Sequence, residues 1–478
     1  MKKKLLPVVI LLAVAVVLIP LYMIFLAPGE TNGQNVNYEG QKGTHGEKLT
    51  SNGRPYIIDI DQSGINSLKV TNQNGSFEFY RGSDGEMYLR GAEKYLYDMN
   101  KQKQLFINAA TQLIAIEKYE EYDSLETYGL TADTCLATAE ITAQDGGYYK
   151  IIFGDKLATN GAYYAMLEGR EAVYALDTML ESTLFCTAGD FIMPLLAPTV
   201  ENGDYSLISA LSIKKNGEPF VEVVKMTPEE EEESLIFGQY KMTYPADFSP
   251  SADNLSGVLY AVAEFSADRI ADYNIDGEKL DFYGFKTGTK YEITYTCKDV
   301  DYSLYFSGKT PRNTYYVYSP AYDLIGEISA DRVDFLEWDI IRYVERNIFM
   351  VNIDSIASVE ITHSGTTDTF TLTSEGDSLE VKHNKRITDT TNFRYFYKSL
   401  LSICIDGYDT MPEGAESDIT LTITSRSGKV LEYKFYYTSS LRAFFTLNGK
   451  GEFYVNRDYL RTVISNLTKL KNGEKIEE

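Results

Sequence analysis

The chain is poor in the side chains that most enzymes use. Its 478 residues include 3 His, 4 Cys and 1 Trp, and 45 Lys or Arg stand against 69 Asp or Glu. The imidazoles, His45, His363 and His383, are scattered with no HExxH pattern. Cys135, Cys186, Cys297 and Cys404 lack the close spacing that a structural zinc site needs. So few cysteines in so long a chain also exclude a disulfide-dense scaffold. The deficit of positive charge, net −24, argues against nucleic acid or anionic lipid as the main partner, since both need a cationic footprint. There is no G-x-x-x-x-G-K-[ST] loop and no G-x-S-x-G, so neither P-loop nucleotide binding nor a nucleophile elbow is encoded.

What is present is apolar and aromatic: 44% hydrophobic residues, with 38 Tyr and 23 Phe. That excludes general disorder, and the length allows about three domains. Residues 5–27 carry no charge and follow Lys2, Lys3 and Lys4. Such a run spans roughly 34 Å as a helix, enough to cross a bilayer. The exit FLAPGE has no A-x-A site, so an uncleaved anchor is expected over a signal peptide. The positive-inside rule then puts the N-terminus in the cytoplasm and the bulk outside. Residues 1–28 thus read as cytoplasmic tip and transmembrane anchor, and 29–56, rich in Gly and Asn, as a flexible linker.

The remainder reads as three degenerate copies of one plan, at 57–200, 201–350 and 351–478, the last with a C-terminal tail. Each opens on two alternating strands around a Gly-containing turn, with Leu68, Leu211 and Val359 equivalent. An amphipathic helix follows in each, marked by Leu105, Ala109, Leu113 and Ile116, by Leu255, Val258, Leu259, Val262 and Phe265, and by Phe393, Phe396, Leu400 and Ile403. A second run of strands aligns Tyr163-Tyr164, Tyr315-Tyr316 and Phe444-Phe445, and short helices close the copies at 178–188, 330–338 and 457–470. The expected fold class is α+β: a single transmembrane helix, then three repeats of antiparallel strands with one or two packed helices.

The tripeptide Tyr128-Gly129-Leu130, echoed by Tyr283-Gly284-Phe285, leads into ATAEIT, IIFGD, GAYYAML and AVYAL. With the N-terminal apolar segment, these motifs resemble bacterial proteins with the domain of unknown function 4340, most clearly over residues 57–200. The resemblance implies a membrane-anchored, exported protein that works beside ABC-type permease and ATPase subunits resembling the gliding-motility type. It carries no catalytic or ligand residues.

Other fragments read as structure. Ser212-Ile213-Lys214-Lys215 and Lys286-Thr287-Gly288 imitate S-x-x-K and K-T-G, but on a strand Ser212 and Lys215 face opposite ways, and S-D-N is absent. The run Glu229–Glu233 reads as a solvated loop rather than a calcium site. Asp334, Glu337 and Asp339 could pair as acid and base but read as exposed acids of a short helix. Cys135 and Cys186 could form a disulfide, or each could be a small buried residue. The Tyr excess suits strands and could also supply an interaction surface. No catalytic, cofactor or metal residue is assigned. The expectation is a non-enzymatic accessory or scaffold subunit of a transport or envelope assembly. The alternative is a surface module that binds cell-envelope carbohydrate.

Overall fold

A computed structural model describes Tyr38 and residues 40–158, 161–176, 181–198, 204–233 and 238–477. The α+β assignment is not upheld: antiparallel sheet dominates, in four sheets, and helices are few. Among the described residues no helix is long and apolar enough to cross a membrane. The expected span at 5–27 lies outside the described residues. The single-pass anchor, and the cell-membrane localisation built on it, are therefore not supported.

The chain divides into two compact units, residues 1–191 and 192–478. In the first, β1 (Tyr56–Ile58) pairs with β5 (Leu113–Ile114). Sheet I contains β2 (Ile65–Asn72), β3 (Gly75–Arg81), β4 (Met87–Leu89), β6 (Glu117–Tyr119), β7 (Ala137–Ala143), β8 (Tyr148–Lys156), β9 (Tyr163–Leu167) and β10 (Val173–Leu176). Its spatial order is β4-β3-β2-β7-β8-β9-β10-β6. Helix α1 (Met99–Ala109) lies in the connection from β4 at one edge to β6 at the other.

The second unit holds two sheets on the same connectivity. Sheet II has β11 (Ile208–Lys215), β12 (Glu218–Lys225), β13 (Tyr240–Tyr244), β14 (Arg269–Tyr273), β15 (Tyr291–Cys297), β16 (Val300–Phe306), β17 (Thr314–Ser319) and β18 (Leu324–Ser329), with α2 (Ala252–Ala263) in the crossover. Sheet III has β19 (Ile356–His363), β20 (Thr366–Thr373), β21 (Glu380–His383), β22 (Arg386–Thr388), β23 (Ile405–Tyr408), β24 (Ile419–Ser425), β25 (Val430–Tyr437), β26 (Arg442–Leu447) and β27 (Lys450–Asn456). Here α3 (Thr390–Leu401) makes the crossover, β22 adds a ninth strand at one edge, and α4 (Arg457–Asn472) follows the last strand.

Period-two patterning builds these sheets. In β7, β15 and β24 every second residue is buried, so each sheet has a core face and an open face. Two-residue turns with positive φ close several hairpins: Asn216-Gly217 (φ 53° and 85°) joins Lys215 to Glu218, and Asn384-Lys385 (φ 45° and 74°) joins His383 to Arg386. Helices α1 and α3 start on acidic caps. Asp98 accepts from the Asn100 and Lys101 amides, and Asp389 from that of Asn392.

Several boundaries differ from the sequence reading. The stripe running to Ile116 is broken: α1 ends at Ala109, and Leu113 belongs to β5. Strand pairing sets Ala443-Phe444, one residue earlier than Phe444-Phe445, opposite the positions of Tyr163-Tyr164 and Tyr315-Tyr316, because Phe153, Phe306 and Phe435 face Ala165, Val317 and Phe445. Only the last closing helix is a full α-helix. The second is 3-10 at Ala330–Glu337, and the first is a single turn, Glu181–Leu184, with 177–180 outside the described residues.

The segment expected to be a flexible linker is folded from Gly40 onward. Lys42 bridges Lys48 and Leu49 bridges Pro55, and Glu47 is only 1% exposed. The signal missed here is a single acid among polar residues, which composition cannot distinguish from a solvated one.

Candidate functional site

A cluster of partly exposed aromatic side chains lies on the open face of sheet II. Alternation puts Leu304, Phe306, Tyr315 and Val317 in the core and leaves Tyr305, Tyr316 and Tyr318 on the other side. Tyr305 stacks on Tyr318 with centroids 6.2 Å apart, and Phe285 meets Tyr318 at 6.0 Å. Tyr283 packs edge-on against Tyr316 at 4.8 Å, and Phe282 against Tyr283 at 4.9 Å. Phe282 itself is 82% exposed. The Tyr283 hydroxyl donates to the Ala271 carbonyl at 3.1 Å, and burial pushes its pKa up to about 12.

This arrangement explains the repeated Tyr-Gly motif. Tyr128 packs edge-on against Tyr164 at 4.7 Å, the same contact that Tyr283 makes with Tyr316. Each motif pins the connection between the crossover edge strand and the next strand onto the open face. Gly129 takes φ 65° and Gly284 φ 84°, the left-handed conformation that ends a short helix. In sheet I the fit is tighter. A Cβ on Gly154, the glycine of IIFGD, would overlap the Tyr128 carbonyl oxygen. Sheet III has no such motif; there Tyr454 lies across Gly407 instead.

A second cluster lies at the β10–β6 edge of sheet I. The Glu47 carboxylate accepts from Lys118 Nζ at 2.8 Å, from the Tyr174 hydroxyl at 2.8 Å and from the His45 amide at 2.9 Å. Burial raises its pKa, but these bonds outweigh burial and hold it down at about 2. Arg170 donates to the Ile57 carbonyl at 3.0 Å and so ties β1 to the same place. The cluster is a clasp built around the buried Glu47 carboxylate.

Of the fragments that imitate chemistry, Lys215 is brought beside the Glu337–Asp339 segment, and each charged group there has a local partner. Lys215 Nζ donates to the Trp338 carbonyl at 2.7 Å and sits 3.5 Å from the centre of the Phe220 ring. Lys286 pairs with Asp281 at 3.2 Å. Asp334 accepts from the Trp338 indole at 3.1 Å. Glu337 is held by Lys309 at 2.8 Å and the Tyr315 hydroxyl at 2.7 Å; Lys309 and Tyr315 lower its pKa, the wrong direction for a general acid.

The acidic run is a short helix, Pro228–Glu233, rather than a loop. Thr227 and Glu230 form a reciprocal capping box. All four cysteines are free, and burial raises the pKa of the Cys186 and Cys297 thiols. His363 meets Ser364 at 3.2 Å, and His383 meets Asp368 at 2.8 Å. Among the described residues no group of three or more His, Cys, Asp or Glu could hold a metal ion.

Comparison with known proteins gives one family. Residues 239–421 match the family described as Domain of unknown function (DUF4340). The match runs from β13 of sheet II into β24 of sheet III, and so falls on the later copies rather than on the 57–200 stretch where the motifs are clearest. No curated protein and no solved structure matches the chain.

Proposed function

We propose that the protein is a non-catalytic interaction subunit, an accessory or scaffold component of an ABC-type transport or envelope assembly. The observation that supports this reading is the aromatic cluster on the open face of sheet II, ending in the projecting ring of Phe282. A large aromatic side chain held at the rim of a rigid, well-packed platform is the kind of anchor that carries binding energy at protein interfaces. The transport part of the reading rests on the resemblance to proteins of the domain of unknown function 4340.

The test is mild crosslinking in the native cell followed by purification of the full chain. A permease and an ATPase should co-purify, and Phe282→Ser should lower their yield several-fold without changing the melting temperature. Recovery of the chain alone at native expression refutes the proposal. The same exposed rings favour a second reading, stacking on envelope carbohydrate. It requires the purified protein to sediment with cell-wall polysaccharide and Phe282→Ser to abolish that sedimentation.

A further inference from the structure

We propose that the cleft at one edge of sheet III is a binding site for a small phosphate-bearing anion. The cleft, about 860 Å³, lies between the β21–β22 hairpin, the first turn of α3 and the end of α4 with the tail behind it. That volume is within the range of small-ligand pockets.

Its charge is opposite to that of the chain. Arg386, Lys471 and Lys475 line it, and Asp389 is the one carboxylate among the lining residues. Asp389 is committed to capping α3, accepting from the Asn392 amide at 2.7 Å. Arg386 and Lys475 have no carboxylate partner among the described residues, so their charges are left for a ligand in the cleft. In a protein of net charge −24, two unneutralised cations facing one cavity mark where an anion is attracted.

The site is also built. Asp368, 4% exposed, holds His383 at 2.8 Å and Lys471 at 2.9 Å. The His383 ring stacks on Phe370 with centroids 4.8 Å apart, so the wall behind Lys471 is fixed. Asn392 donates to the Glu474 carbonyl at 2.7 Å and accepts from the Ile476 amide at 2.8 Å, which folds the tail back against α3. Ile476 is buried and anchors that tail, and Lys475 is thereby held at the cleft. The Glu474 carboxylate is turned to Asn472, at 2.9 Å. Thr388, Thr391 and Tyr395, which carry neutral hydroxyls, are also among the lining residues. The planar fork of Arg386 with the Lys475 ammonium beside it matches a phosphate dianion better than a single carboxylate.

The experiment is calorimetric titration of the full-length protein with inorganic pyrophosphate, with citrate and sodium chloride at matched ionic strength as the other arms. Saturable pyrophosphate binding is expected. It should weaken by about tenfold or more in the double variant Arg386→Gln, Lys475→Gln and stay unchanged in Lys434→Gln. Both substituted cleft residues are exposed, so the double variant should keep the wild-type melting temperature, and Arg386→Glu serves as a second probe. The assignment is overturned by no saturable binding, by equal binding of citrate, by the same heat with chloride, or by pyrophosphate binding that survives both cleft variants.

Discussion

Replacing Glu47 with Gln tests whether the clasp at the edge of sheet I holds residues 40–58 in place. The folded protein keeps the Glu47 carboxyl at about 2, against an ordinary value of 4.5. At about 1.36 kcal/mol per unit, that difference is worth about 3 kcal/mol. The Lys118 side chain is 12% exposed and that of His45 28%, so solvent screening reduces the figure to about 2–3 kcal/mol. Gln retains a hydrogen-bonding oxygen for Tyr174 but leaves the Lys118 ammonium without its buried countercharge.

The readout is hydrogen exchange at the amides of Gly43, Thr50 and Tyr56, which bond to the carbonyls of Glu47, Arg54 and Lys48. At neutral pH the variant should exchange roughly thirtyfold faster or more at these sites. The pH dependence fixes the cause. A carboxyl with a depressed pKa contributes in full above its unfolded value of 4.5, and the contribution is lost as pH falls through the folded value near 2. Wild-type protection, corrected for intrinsic exchange, should therefore converge on that of the variant between those limits. Equal protection in the two proteins at pH 7, or a wild-type advantage that persists unchanged at pH 2, would refute the assignment of this energy to the Glu47 charge.

Two further substitutions probe the other features. Gly154→Ala places a methyl group against the Tyr128 carbonyl oxygen and should cost about 2–3 kcal/mol. A fall in melting temperature should show this, while Gly308→Ala, where the methyl meets open space, stays within about 0.5 kcal/mol. Burial brings the Lys215 ammonium down to about 8 from 10.5. The unfolded chain then binds more protons between those values, so wild-type stability should rise relative to Lys215→Met from pH 8 to pH 10.5, by about 1–3 kcal/mol in urea melts. A flat or falling difference contradicts the desolvation account.

The strand pattern was the most readable part of the sequence. Leu68, Leu211 and Val359 occupy one position of the common register, opposite Ile141, Tyr295 and Ile423, because alternation is imposed directly by the pleat. The balance of helix to strand was less readable. An apolar residue at helical spacing, such as Leu113, can equally start a strand once the chain leaves the helix. Aromatic pairs such as Phe444-Phe445 invite alignment by identity where pairing puts the register one residue away. The basic cleft was not readable at all. Arg386 is far in sequence from Lys471 and Lys475, no local motif links it to them, and only the packing of α4 beside α3 and the clamp at Asn392 bring them to one cavity.

The shared connectivity bears on how each sheet is completed. The crossover strands β6, β14 and β23 each pair with a single strand of their own sheet, the last one: β10, β18 and β27. Each must therefore wait, with the helix just before it, until four later strands have been made and laid down. On a ribosome this stretch emerges with no edge to join. A truncation that removes just the final strand would orphan an element far upstream of the cut. Each sheet is thus latched by its last strand, and a nascent chain interrupted anywhere within the four-strand run leaves an unpaired strand and an exposed helix face together.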